Sequence, residues 1–188
     1  MAIAAAQNEG AANDYGKGLS IWDVYARRHG KIKGGAKPAI GCDFYHRYKD
    51  DLLLVKALGF TVFRFSIAWS RILPDGTGKV NKEGVDFYHR IINECLRLGL
   101  TPYVTLYHWD LPYELEKKGG WTNYFINKWF NRFAMVCATA YGATVKNWII
   151  LNEPFGSRLK HVCKSSETAW DSLAEPLLCA PYGKQQRT

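Results

Sequence analysis

The chain alternates between stretches of helical periodicity and short apolar runs. In residues 43–58 large apolar side chains recur every three or four positions, which predicts an amphipathic helix with one buried stripe. The stripe comprises Tyr45, Tyr48, Leu52, Val55 and Leu58. Gly59 follows where a helix commonly ends. In residues 60–69 the odd positions from 63 to 69 are large and apolar, while Arg64, Ser66 and Ala68 lie opposite, so this run is predicted to be a strand.

The same order of helix, glycine and strand then recurs. Residues 82–98 predict a second helix and 101–107 a second strand, and residues 124–141 and 145–151 predict a third pair. The repeat is close to the roughly 30 residues of a βα unit. Strands with few charges, separated by amphipathic helices, indicate a parallel sheet that is covered by helices.

Polar residues follow or line the ends of these strands, with Arg64 in the first, His108 and Trp109 after the second, and Asn152 and Glu153 after the third. Barrel enzymes place their chemistry at this end of the strands. The absence of a Gly-x-Gly-x-x-Gly turn disfavours a nucleotide-binding doubly wound sheet. A complete (β/α)8 TIM barrel has eight units in about 250 residues. The sequence therefore predicts an α/β fold that is roughly the first half of such a barrel.

The last part of the chain departs from this pattern. Residues 156–188 contain no alternating strand and no well-capped helix, and only residues 168–178 are compatible with a short helix. We therefore expect two regions. Residues 1–155 form the partial barrel, and residues 156–188 form an irregular tail.

Composition excludes some classes of partner. Of the 188 residues 47% are apolar and 22% are charged, as in one folded domain. Seven Trp and eleven Tyr suit a protein that stacks on sugar rings, although most aromatic side chains belong to the core. The formal net charge of +8 makes nucleic acid worth considering, but the basic residues are scattered among acidic ones. We expect no nucleic-acid partner, because no basic stripe accompanies an aromatic platform.

The cysteines and the apolar runs bear on location. Five cysteines are an odd number without CxxC spacing, which argues against a disulfide framework and a zinc site and favours a reducing compartment. No apolar run has the length of a membrane span. The first residues lack the basic and apolar parts of a signal peptide. We expect a soluble, cytoplasmic protein without a membrane partner.

Asn152-Glu153-Pro154 is the strongest local signal for chemistry. A carboxyl group at the end of a buried strand suits a general acid, because apolar surroundings favour its protonated form. The neighbouring asparagine can donate to a hydroxyl. Adjacent strand residues point to opposite faces, so both side chains reach one site only if the strand kinks there. For this short motif alone, a charged strand end that faces solvent is an equally good interpretation.

Two further positions are candidates for sugar contacts. A histidine beside an indole, as in His108 and Trp109, offers a hydrogen bond to a hydroxyl and an apolar wall to ring C–H groups. Taken alone, His108 is better explained as a packed core residue. Arg64, flanked by two phenylalanines, is predicted to need a carboxylate partner, because an unpaired buried charge is costly.

Six segments together resemble glycoside hydrolase family 1, the β-glucosidases and their relatives, in order and in spacing. The segments are 7–11, 16–23, 43–49, 63–71, 107–112 and 152–154. The resemblance extends over residues 2–155. It implies a (β/α)8 barrel that hydrolyses a β-glucoside or a related β-glycoside with retention, without a metal and without a cofactor.

The resemblance also implies roles for individual residues. Glu153 matches the family's acid/base, which protonates the leaving oxygen and then activates water. Arg64 matches the arginine that orients the nucleophile. The positions that match substrate-binding residues are Gln7, His108, Trp109 and Asn152.

The chain departs from the family pattern in ways that affect activity. The family's nucleophile lies in a Glu-Asn-Gly motif on a late strand, and no such motif occurs here. The first family strand is clipped, and the pattern ends after Phe155. We therefore expect a β-glucosidase that is truncated before its nucleophile and has little or no hydrolytic turnover. A non-catalytic sugar-binding or regulatory half-barrel is the alternative.

Overall fold

A parallel sheet of three strands organises the computed structural model, which describes residues 1–32 and 40–154. The strands are β1 (Val62–Ser66), β2 (Thr101–Tyr107) and β3 (Asn147–Leu151), with β2 in the middle. The helices of this part are α1 (Ala5–Asn8), α2 (Ile21–Arg27), α3 (Phe44–Ala57), α4 (Trp69–Ile72), α5 (Lys82–Arg97), α6 (Tyr113–Glu116) and α7 (Ile126–Tyr141). A 3-10 turn occupies Gly120–Thr122.

The predicted repeat of helix and parallel strand is confirmed. Helix α3 precedes β1, α5 connects β1 to β2, and α7 connects β2 to β3. The predicted strand 60–69 is too long, because the chain leaves the sheet after Ser66 and forms the single helical turn α4. The predicted end of each of the first two helices is confirmed by Gly59 and Gly99. Both glycines adopt left-handed backbone, with φ of 83° and 67°.

The amino-terminal residues add to the sheet beside β1. Ala2 forms a parallel bridge with Arg64. The amide of Ile3 donates to the carbonyl of Arg64 at 2.9 Å, and the amide of Arg64 donates to the carbonyl of Met1 at 2.9 Å. The clipped first strand of the sequence pattern is therefore represented by a short parallel pairing that leads into α1.

The main core lies between the sheet and its helices. Phe63 and Phe65 of β1 are each 1% exposed, and Trp69 stacks on Phe133 of α7 with ring centroids 5.0 Å apart. Of the stripe predicted for α3, Tyr45, Leu52 and Val55 are buried, Tyr48 is half-buried and Leu58 is exposed. Leu58 is 66% exposed because it lies at the C-cap of α3, where the chain turns away at Gly59.

Three cysteines lie within the described ranges, and all three are free thiols: Cys42 is exposed, whereas Cys95 and Cys137 are buried. None of the helices in these ranges is both long and apolar enough to cross a membrane. The predicted irregular tail, 156–188, and its short helix, 168–178, lie outside the residues that the structure describes.

Candidate active site

The three parallel strands end side by side at one edge of the sheet. Ser66 pairs with Thr105, and Tyr107 pairs with Leu151. The pairing continues one residue further, since the amide of Asn152 donates to the carbonyl of Tyr107 at 2.9 Å. The polar residues that the sequence places after the strands are therefore neighbours in space.

Arg64 connects all three strands from its position in β1. Its Nε donates to Oγ1 of Thr105 at 3.0 Å, and its Nη2 donates to Oδ1 of Asn152 at 2.5 Å. Arg64 has no ion pair in the described part of the chain, and its carboxylate partner stays a prediction, because the resemblance assigns that role to the nucleophile that this sequence lacks. Neutral oxygens suffice there because the side chain is only half-buried and keeps some contact with solvent.

The turn after β2 contacts the turn after β3 directly. Nε1 of Trp109 donates to the backbone carbonyl of Asn152 at 3.0 Å. Trp109 has a φ of 69°, in the left-handed region that residues other than glycine rarely adopt. The rings of His108 and Trp109 lie edge to face with centroids 6.0 Å apart, and both side chains are half-buried. This turn places the indole next to Asn152 and the imidazole against the indole.

The chain bends where β3 ends. Asn152 is buried, and Glu153 follows it with a φ of 45°, also in the left-handed region. Regular pleating is therefore broken at the position where the sequence requires a kink. Strain of this kind concentrates at functional sites.

The surroundings of Glu153 differ from the expectation. The sequence predicts apolar neighbours, but the side chain is exposed. The reason is its position, since in the described part of the chain no strand pairs with the outer edge of β3.

Gln7 lies at the same edge of the sheet through α1. The amide of Ala5 donates to Oγ of Ser66 at 2.8 Å, which fixes α1 at the end of β1. The Gln7 side chain itself is exposed. Of the predicted residues, the structure thus brings Arg64, Trp109 and Asn152 into contact and places Gln7 at the same edge.

A buried ion pair holds the loop that follows α1. Nε of Arg71 lies 2.9 Å from Oε2 of Glu9, and the hydroxyl of Tyr88 donates to the same carboxylate. The Tyr88 hydroxyl also accepts from the amide of Ala68 at 2.7 Å. Burial alone would lower the pKa of the Arg71 guanidinium, but the charge of Glu9 reverses this and raises it. The guanidinium also lies over the Tyr45 ring, 4.6 Å from its centroid.

Sequence reasoning missed several of these residues. Thr105 looks like an ordinary strand residue, and only the strand register brings it to Arg64. Glu9 and Arg71 are 62 positions apart, and each falls within a family-like segment, 7–11 or 63–71, without an evident role. A charged residue inside an otherwise apolar run is the one signal that could have identified Arg71.

The edge therefore combines donors, an apolar wall and a carboxyl group. A guanidinium, an amide and an imidazole can bind hydroxyls, an indole can pack on ring C–H groups, and a glutamate can exchange a proton. Within residues 1–32 and 40–154, no three His, Cys, Asp or Glu side chains cluster closely enough to bind a metal ion.

Comparison with known proteins gives a consistent result. The model of glycosyl hydrolase family 1 matches residues 1–165, ten residues beyond the boundary taken from the sequence motifs. Beta-glucosidase A of Thermotoga maritima is 48% identical over 155 residues, which are 82% of this chain and 35% of that protein. Beta-glucosidase 42 of Arabidopsis thaliana is 48% identical over 165 residues, 87% of this chain and 34% of that protein.

The similarity extends to solved structures. The T. maritima β-glucosidase in complex with castanospermine superposes with a TM-score of 0.83 at 46% identity, and the match covers 85% of this chain and 36% of that one. The same enzyme in complex with deoxynojirimycin gives a TM-score of 0.82. The chain thus spans about a third of the length of the relatives that it matches.

Proposed function

This chain belongs to glycosyl hydrolase family 1, and on that premise we propose that it provides the acid/base half of a retaining β-glucosidase. The proposal is supported chiefly by one observation. The hydrogen bonds from Arg64 and from Trp109 to Asn152 join the ends of all three strands beside Glu153. The named relatives are β-glucosidases, and structures of one of them hold castanospermine or deoxynojirimycin.

In the proposed reaction Glu153 transfers the proton. As an acid it protonates the glycosidic oxygen while the aglycone leaves, and as a carboxylate it then takes a proton from the attacking water. Because Oδ1 of Asn152 accepts from Arg64, the amide is oriented with its Nδ2 as the donor for a sugar hydroxyl. Hydrogen bonds of this kind strengthen in the transition state.

The remaining residues of the site bind the sugar. Gln7 and His108 donate to or accept from other hydroxyls of the same ring. The Trp109 indole forms the apolar wall, because it is held edge to face against the His108 ring. The substrate class is a β-glucoside or a closely related β-glycoside.

The reaction also needs a nucleophile. Retention requires a second carboxyl group about 5–5.5 Å from the first. This sequence has no Glu-Asn-Gly motif, and it spans about a third of its relatives. We propose that the nucleophile belongs to the portion of the barrel that the relatives have in addition, and that this chain alone has little or no turnover.

A hydrolysis assay in two arms tests the proposal. In the first arm the purified chain receives a nitrophenyl β-glucoside, and we expect aglycone release no faster than from the Glu153→Gln variant. In the second arm residues 1–154 replace the matched segment of the T. maritima enzyme, so that the relative supplies the nucleophile. There Glu153→Gln should lower kcat/KM for an alkyl β-glucoside by about 10²–10⁴-fold, because general acid catalysis contributes that much.

The leaving group provides an internal comparison. A nitrophenyl aglycone needs less protonation, so its glycosylation step should lose less in the Glu153→Gln chimaera than that of the alkyl glucoside. Glu83→Gln, at an exposed position of α5, is the control and should leave both substrates unaffected. Equal activity of the Glu153→Gln and unmodified chimaeras on the alkyl glucoside would contradict the acid/base role.

We also propose a cytoplasmic location. The support is the state of the cysteines, since Cys42, Cys95 and Cys137 are free thiols in the described ranges. Proteins of oxidising compartments usually pair their cysteines.

A further inference from the structure

A small cavity separates the helix that carries Gln7 from the turn that carries His108 and Trp109. Its lining includes Ala5 and Ala6 of α1, Ala68 after β1, Ser20 before α2 and Asp110 after β2. The cavity therefore adjoins three of the elements that form the candidate site. Its volume of about 20 Å³ has room for one water molecule.

The cavity contains one acidic group that is not in an ion pair. Asp110 is 2% exposed, and neither of its carboxyl oxygens forms a regular hydrogen bond to the described residues. The other charged residues of the lining are paired. Nζ of Lys17 lies 2.6 Å from Oδ2 of Asp23, and Glu9 is bound to Arg71. A buried carboxylate in this setting is costly, so its neutral form is favoured.

We infer that Asp110 is a positioning residue for the candidate site: its buried carboxyl group shares a water-sized cavity with Ala5 and Ala6 of α1 and, through a water held there, links the His108–Trp109 turn to α1. The inference rests on the proposed function in one respect only, namely that the ligand of this turn is a sugar. The seating of the turn is a property of the fold and can be measured without a sugar.

The groups that face Asp110 determine how the position of the His108–Trp109 turn depends on pH. Burial and, next, the charge of Glu9 raise the pKa of Asp110 to about 7, while Lys17 and weak interactions with the amides of Asp110 and His108 act in the opposite direction. Below that pH the neutral acid can donate to an oxygen in the cavity. Above it a further negative charge stands beside Glu9 and Asp23, and the turn shifts away from α1.

The Trp109 indole is a suitable reporter of this shift. Its N–H donates to the carbonyl of Asn152 at 3.0 Å, and its backbone precedes Asp110 directly. Any movement of the turn therefore changes the length or angle of a single identifiable hydrogen bond. In proton–nitrogen NMR spectra this N–H gives a resolved signal that Trp109→Phe assigns.

The test is a pH titration of the full 188-residue chain by NMR, with ¹³C-carboxyl and ¹⁵N-indole signals observed together. We expect the carboxyl signal that is absent from the Asp110→Asn variant to titrate with a midpoint near 7, and the Trp109 indole signal to shift with the same midpoint. In Asp110→Asn the indole signal should stay at its low-pH position. Asp75→Asn, in an exposed turn, should change neither result.

A second variant separates Asp110 from the neighbouring imidazole. Histidine titrates near pH 6.5, so His108→Gln should retain the indole shift if Asp110 causes it. A carboxyl midpoint near 4, an indole signal that does not follow the carboxyl, or a shift lost in His108→Gln would each overturn the inference. If Asp110→Asn does not fold, through-bond assignment of the Asp110 carboxyl signal in the wild-type chain still decides the first two outcomes. None of these signals depends on hydrolysis, so failure of the proposed activity would not affect them.

Discussion

At the scale of single residues, the buried Glu9–Arg71 pair explains how a short amino-terminal helix is held at the candidate site. The two side chains are 4% and 0% exposed, and Tyr88 binds the same carboxylate. The net stabilisation from such a pair is small, because both charges are desolvated. Removal of one partner is costly all the same, since the other charge then stays buried without compensation.

We therefore expect Glu9→Gln to lower the free energy of unfolding by about 3–5 kcal/mol, because the charge of Arg71 then stays buried without its partner. Tyr88→Phe should cost less, about 1–3 kcal/mol, because it removes a hydrogen bond to the Glu9 carboxylate and one from the Ala68 amide but leaves no charge unpaired. Urea unfolding measures both. The control is Glu83→Gln, whose exposed partner Arg90 lies 3.4 Å away and whose loss should matter far less. A smaller loss for Glu9→Gln than for Tyr88→Phe would show that Arg71 finds other partners.

Individual residues of the site were predictable to different degrees. Sequence motifs indicated Arg64 and Asn152, but not that one donates to the other, because the bond passes β2 and joins residues that are 88 positions apart. The exposure of Glu153 was not predictable either, because it depends on which strands flank β3. The role inferred for Asp110 requires the cavity to be known.

At the scale of elements, length decided what the sequence could predict. The long helices α3, α5 and α7 contain several turns, so their apolar stripes were recognisable and their bounds are close to those predicted. The helices α1, α4 and α6 have four residues each, which is too short to show a period. Helix α2 begins with a capping box that is harder to recognise in the sequence, because its N3 residue is Asp23 and not the usual Glu or Gln.

The contact between α5 and α4 provides a prediction at this scale. An Ala in place of a helical Gly usually adds about 1 kcal/mol of stability. At Gly84 a Cβ would lie 2.2 Å from the carbonyl oxygen of Arg71, so we expect Gly84→Ala to destabilise the protein instead. Thermal unfolding measures the sign. Asn93→Ala, at an exposed position of the same helix, is the control and should be neutral or slightly stabilising. A higher melting temperature for Gly84→Ala would mean that α4 and α5 separate easily.

At the scale of the whole molecule, the repeat of helix and strand was enough to predict a parallel sheet. The observed order, β1-β2-β3, places consecutive strands side by side, as short connections favour. The pairing of residues 1–3 with β1 was only partly predictable, because three residues carry no pattern. The global stability also depends on the protonation of single groups, and Asp110 should contribute a pH dependence of opposite sign to that of most acids.

Because the pKa of Asp110 is raised from 3.8 to about 7 on folding, the native state binds a proton that the unfolded state releases. The free energy of unfolding should therefore fall as pH rises from about 4 to about 7, by up to roughly 4 kcal/mol, and then level off. The comparison is with Asp110→Asn across the same range, so that the titration of other groups cancels. A constant difference between the two proteins from pH 4 to 8 would contradict the raised pKa.

The rate at which the buried thiols react reports how often the core of this protein opens. Burial raises the pKa of Cys95 to about 12 and also raises that of Cys137, so neither presents the reactive thiolate while the fold is intact. Cys42 is exposed and should be alkylated at once. Peptide mapping after timed exposure to an alkylating reagent distinguishes these sites from Cys163 and Cys179. The rate at which Cys95 and Cys137 become labelled then measures how often the interface between the sheet and its helices opens.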